Sequence, residues 1–156
     1  MRRRDIREGM VFTVPLRDGR YALGVVCRHS RSAVTVGYFF GPATDRPPAL
    51  PESLDPADAA MVARFGDIPL VEDQWEVLGT LPGWDRTAWP ATTFVRGDMR
   101  ERGYVVSYDD KDPNKVVAER RWTAADGDLP SDDLHGYVIV RNRLSERLDR
   151  AGQDES

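Results

Sequence analysis

The sequence predicts a mainly β (α+β) domain: an antiparallel, strongly bent sheet with one packed helix and a short C-terminal helix. Three observations carry this. Short runs rich in β-branched and aromatic residues recur along the chain with period-two alternation. The first two runs are joined across Asp18-Gly19, a strong hairpin-turn signal. Helix-like patterning is confined to the stretch after Asp55 and to Leu144 and Leu148. Strands therefore do not alternate with helices, which argues against a doubly wound parallel sheet.

Taken in order, Val11-Phe12-Thr13-Val14 is the first β-prone run, closed by Pro15. Tyr21 to Cys27 follows the turn as a second strand, with Tyr21, Leu23 and Val25 on one face and Ala22, Gly24 and Val26 on the other. Gly24 inside that strand marks a bulge, a barrel bend or a close backbone approach. Ala33 to Phe40 is the third, with Val34, Val36, Tyr38 and Phe40 sharing a face. Residues 41–54 hold four prolines and read as an extended surface crossover. Asp55 suits an N-cap, Pro56 the first helical position and Asp58 the positive end of a helix dipole. With Met61 and Phe65 four apart and Gly66 at the C′ position, this predicts a helix over residues 56–65 packed on the sheet, and Trp75 is expected in the core.

Residues 67–71 and 74–79 read as extended, 81–90 as a turn-rich loop and 91–95 as a short strand. Tyr104–Tyr108 and Lys115–Trp122 form a hairpin around residues 109–114. Residues 126–133 are an acidic loop with four Asp and no base, Tyr137–Val140 a last strand, and Leu144 and Leu148 the short C-terminal helix. Residues 1–150 make one domain and 151–156 a disordered tail. The simplest architecture is a strongly bent sheet or SH3-like, partly open barrel with the helix covering one end.

Composition narrows the function. The chain has 156 residues, enough for one domain to bury a core without disulfides or metal. Its charge is 22 − 26 = −4, which argues against a dedicated nucleic-acid binder. No apolar run approaches the roughly 20 residues of a membrane span, and the charged N-terminus has no apolar region behind it to act as a secretory signal. Cys27 is the one cysteine, so an internal disulfide and a Cys/His zinc site are both excluded. These readings place the protein in the reducing cytoplasm. The 20 Arg against 2 Lys are a bias that GC-rich bacterial genomes tend to encode.

Chemistry-bearing motifs are sparse. Nucleophile-elbow, phosphate-loop, zinc-protease and dinucleotide fingerprints are all missing, so no catalytic residue, cofactor or metal is expected. His29 and His135 read as ordinary surface histidines, and Cys27, at the end of an apolar strand, as a buried, inert thiol. Asp110, Asp112 and Asn114 match the first ligand positions of a calcium loop, but Lys115 stands where the loop needs Gly and Arg121 where it needs Glu. Charge is uneven: residues 2–31 carry eight Arg against three acids, and residues 52–76 carry seven acids against Arg64. A polarised surface suits a charged protein partner. The candidate contact residues are Asp109, Asp110 and Asp112 at the hairpin tip, Asp126, Asp128, Asp132 and Asp133 in the acidic loop, and Trp84 and Trp89 in the Pro/Gly loop. The acidic loop, lacking a base, is expected to project its charge into solvent.

Two stretches resemble the immunity protein 26 family. Residues 7–27, REGMVFTVPLRDGRYALGVVC, carry its opening in Gly9, Phe12, Pro15, Leu16, Asp18, Gly19, Tyr21 and Gly24. Residues 66–82, GDIPLVEDQWEVLGTLP, are similar to its middle in Trp75, Gly79 and Pro82. Residues 97–156 hold no matching motif. The resemblance implies a small cytoplasmic bacterial protein, encoded beside a polymorphic toxin, that binds and neutralises the toxin domain without chemistry of its own. The motif residues read as structural, so the resemblance assigns no toxin-contact residue. A barrel used as an adaptor or nucleic-acid module, through the basic N-terminal stretch, is the competing reading; an enzyme with a scattered site is the third.

Overall fold

The computed structural model describes residues 5–31, 33–97 and 102–154. In chain order the elements are β1 (Met10–Pro15), β2 (Tyr21–His29), β3 (Val34–Thr44), β4 (Met61–Gly66), the single turn α1 (Ile68–Val71), β5 (Val77–Thr80) and β6 (Thr93–Arg96). Then come β7 (Tyr104–Tyr108), β8 (Val116–Arg121), β9 (Leu134–His135) and α2 (Tyr137–Asp154). The larger sheet has the order β5-β1-β2-β3-β4-β9, antiparallel except where β9 joins β4 in parallel; the smaller has the order β6-β7-β8. The end strands β5 and β9 do not pair with each other, so the sheet is bent but open rather than a closed barrel. Register shifts between Val11 and Phe12, Tyr21 and Leu23, and Val26 and Arg28 supply the bend, since a bulge adds local twist.

The β1–β2 hairpin forms where the Asp-Gly signal places it. Gly19 takes φ of +84°, open to glycine at little cost, and Asp18 Oδ1 accepts from the Arg20 N–H at 3.0 Å. The alternation read from β2 and β3 then sorts side chains between two cores. Phe12, Val14, Ala22, Val26, Phe39 and Phe65 lie on one face of the larger sheet with Trp75, under Val140 and Leu144 of α2. Val11, Val25, Val36, Tyr38 and Phe40 lie on the other, against Phe94, Val106 and Tyr108 of the smaller sheet. The large sheet is thus sandwiched between α2 and the three-stranded sheet. Gly24 is a close approach: Phe12 lies across it, and a Cβ there would stand 2.3 Å from the ring. Trp75 stacks on Phe12 with centroids 5.5 Å apart.

Three expected elements differ. No helix spans residues 56–65. Asp55 does cap, accepting from the Ala57 N–H at 2.9 Å, but the turn it starts is a 3-10 turn over Pro56–Asp58, and the chain continues as β4. Residues four apart share a face in a helix and in a strand alike, so Met61 and Phe65 fit both. Ala63 decides it, because it joins them in the core, as only a strand permits. Tyr137–Val140 is the first turn of α2 rather than a strand. Tyr137, Val138 and Ile139 are exposed, while Val140 and Leu144, with Leu148 after them, pack at helical spacing on the Phe12 cluster. The helix runs to Asp154, taking in residues 151–154 that the sequence places in a tail; residues 155 and 156 lie outside the described residues. Residues 67–71, expected to be extended, hold α1, which buries Pro69, Leu70 and Val71.

Candidate partner-binding site

The hairpin tip between β7 and β8 is built by its own carboxylates. Asp109 Oδ1 accepts from the N–H groups of Lys111 and Asp112 at 2.8 and 3.2 Å, and Asp112 Oδ1 accepts from Asn114 N–H at 3.0 Å. Asp109 and Asp112 therefore shape the turn, in the way short acidic side chains favour. Asp110 is the tip's outward charge, with its side chain 52% exposed. It is held by Arg28 Nε at 3.0 Å and by Arg86 Nη1, and Arg86 Nε in turn donates to Glu8 Oε1 at 2.7 Å. The Arg86 guanidinium first, then Arg28, holds the Asp110 carboxyl below the usual carboxylate range. This chain of four charges pins the tip to β2, to the segment before β1 and to the loop after β5.

The acidic loop does not project all its charge. Asp126 closes a capping box with Thr123 and pairs with Arg120 of β8 at 2.5 Å; that contact, with the Thr123 N–H, lowers its carboxyl well below the ordinary range. Asp132 is 6% exposed, bonded to Arg96 Nε at 2.8 Å and accepting from the Tyr108 hydroxyl at 3.1 Å. The bases missing from the loop's sequence come from β6 and β8. Asp128 and Asp133 remain on the surface. Of the two tryptophans, Trp89 is 3% exposed and packs edge-on to Tyr38 and Phe40 at 5.2 and 5.8 Å, so it is a core residue. Trp84, half-buried over Gly9 and against Trp89, keeps an outer side. Burial thus removes Asp132 and Trp89 from any contact surface and leaves Asp126 12% exposed.

The other singled-out residues are structural. Burial pushes the Cys27 thiol up, far from a thiolate at neutral pH. His29 Nε2 sits 2.9 Å from Asp67 Oδ2, joining β2 to the start of α1. His135 is buried rather than on the surface; its Nδ1 is 2.7 Å from Asp133 O and its Nε2 is 3.1 Å from Arg143. Arg64 is buried, lies 4.2 Å from the Tyr108 ring centroid and donates to the carbonyls of Asp132 and Pro113, tying the tip to the acidic loop. Sequence reading missed the basic face of α2, Arg143, Arg147 and Arg150; their i, i+4, i+7 spacing is legible once the segment is read as helix.

No helix of the described residues is long and apolar enough to cross a membrane. No curated protein and no solved structure matches the chain. A family model, Immunity protein 26, matches residues 7–105, from just before β1 into β7, and so takes in the hairpin, the aromatic core and the Trp75 region that carry the resemblance. That span exceeds half of the sequence, and the chain belongs to the immunity protein 26 family.

Proposed function

We propose that this protein binds and neutralises a cognate toxin domain in the cytoplasm, as a non-enzymatic inhibitor. The observation that carries the reading is the family match across residues 7–105. The geometry supports it in one further respect. The polar groups of the hairpin tip are braced: Asp110 by Arg28 and Arg86, and Asp109 and Asp112 by backbone N–H groups of the turn. A braced charged surface loses little side-chain entropy on association, which suits tight binding. Asp109, Asp110 and Asp112 at the tip, Asp128 and Asp133 in the loop, and the outer side of Trp84 make the face offered to the toxin.

The test is co-expression with the toxin domain encoded beside this gene. Restored growth, together with a stable complex of the purified proteins, is the expected result; unrelieved toxicity and no complex would overturn the reading. For the acidic face, the expected effect of replacing Asp110, Asp128 and Asp133 with Asn is a slower on-rate and a flatter salt dependence.

A further inference from the structure

The outer edge of β4 is only half covered. β9 pairs with it at Arg64 and Phe65 alone, leaving Met61–Ala63 without a strand on that side. The ladder fixes which groups face outward there. Asp67 donates to Ala33 O at 3.0 Å, one step beyond the Val34–Gly66 pair of the β3–β4 register. Hydrogen-bonded pairs alternate along an antiparallel ladder, so Phe65 and Ala63 turn their N–H and C=O toward β3, and Val62 turns both outward. Among the described residues, no backbone hydrogen bond reaches Val62 from that outer side.

Two cavities adjoin this edge. One of about 310 Å³ lies between residues 59–62, Asp128 to Pro130, and Arg147. The next, about 220 Å³, reaches Tyr38 and Phe94 and shares Val62, Leu129 and Pro130 with the first. The helix α2 flanks the opening. Arg143 contacts His135, which stands beside Phe65 in the β4–β9 pairing, and Arg147 Nη1 donates to Ala60 O at 3.0 Å. Arg143, Arg147 and Arg150 share a helix face at i, i+4 and i+7 spacing and form a local concentration of positive charge beside the opening. Two acids of the same helix, Glu146 and Asp149, are turned away from it to Arg17 and Arg20. Partial burial first, then the neighbouring charges of Arg150 and Arg143, lowers the Arg147 pKa.

We propose that this groove takes a short, extended, acidic segment of the toxin domain as an added strand. Its backbone pairs with the N–H and C=O of Val62, an apolar side chain enters the cavity beside Tyr38 and Phe94, and its carboxylates face Arg143, Arg147 and Arg150. The partner's identity rests on the toxin-binding reading; the site rests on the unpaired edge, the two cavities and the row of arginines beside them.

The experiment uses the full chain and the toxin domain encoded beside its gene. Amide exchange at Val62 is followed in the free protein and the saturated complex, and affinity is measured for wild type and for a variant with Arg143, Arg147 and Arg150 all replaced by Ser. Expected are exchange at Val62 slowed by at least about tenfold in the complex, and affinity weakened by at least about tenfold in the variant with a shallower salt dependence. Unchanged Val62 exchange in the saturated wild-type complex overturns the proposal, whatever the arginine variant does, and leaves the toxin-binding reading standing. A wild-type chain that neither binds the toxin domain nor protects cells overturns both.

Discussion

Asp132 and Asp133 are adjacent in sequence and opposite in role. Asp132 is buried between Arg96 and the Tyr108 hydroxyl, and Asp133 is exposed. Asp132→Ala leaves a buried hydroxyl without its acceptor and is expected to cost about 1–3 kcal/mol. Asp133→Ala is expected to stay within about 0.5 kcal/mol. Urea unfolding of the two variants checks the contrast, and equal effects would show that the loop is not seated as described. Gly24 is the same lesson in the sheet. Its missing side chain is the space that the Phe12 ring occupies, so Gly24→Ala should cost about 1–3 kcal/mol by overpacking. A Gly24→Ala midpoint equal to wild type would refute the ring's placement.

Among the elements, β4 is where local sequence pattern and tertiary context disagreed. Met61 and Phe65 satisfy both periods, and the Asp55-Pro56 cap is a genuine helix-start signal used for only one turn. Two substitutions separate strand from helix. Phe65→Ala should cost about 3–5 kcal/mol in either, because the ring is fully buried. Ala63→Glu should abolish cooperative unfolding in the strand, where it puts a carboxylate between Met61 and Phe65, yet would be tolerated on the far side of a helix. The junction of β9 and α2 carries a pH dependence. His135 is held neutral: burial lowers its pKa below 6.5, the positive charges of Arg143 and Arg147 act in the same direction, and the Asp133 carbonyl and carboxylate oppose them. In the unfolded chain it titrates near the ordinary histidine value of about 6.5. The unfolded state therefore takes up the proton first, so stability is greatest above that pH and is lost as pH falls through the lower folded pKa. Melting temperatures measured from pH 7.5 down to 5 should fall, and the fall should be shallower in His135→Gln.

For the molecule as a whole, the family match stops at residue 105, while the cores do not. Val106 and Tyr108 complete the packing between the sheets, and Val140 and Leu144 cover the Phe12, Phe39, Phe65 and Trp75 cluster. A fragment ending at residue 105 is expected to lose cooperative unfolding and expose aromatic surface to a hydrophobic dye. Native-like unfolding of that fragment would mean that α2 is dispensable to the core. Far-UV circular dichroism of the full chain should show β content above helix content, since among the described residues nine strands stand against one long helix.

The mainly β class, the Asp18-Gly19 hairpin, the facing of β2 and β3, the burial of Cys27 and Trp75, and the family were legible in the sequence alone. Each depends on a turn residue, a period-two alternation or a motif, all of which are local. The identity of β4 and α2, the burial of His135, Asp132 and Trp89, the compensation of the acidic loop by Arg96 and Arg120, and the open edge at Val62 were decided only by tertiary structure. In the clearest of these the deciding partner is distant in the chain. Ala63 is placed by the aromatic core, Asp132 by an arginine 36 residues away, and Val62 by the strand that stops short of it. Local pattern reports which face a residue prefers; only the assembled sheets and helix determine what that face meets.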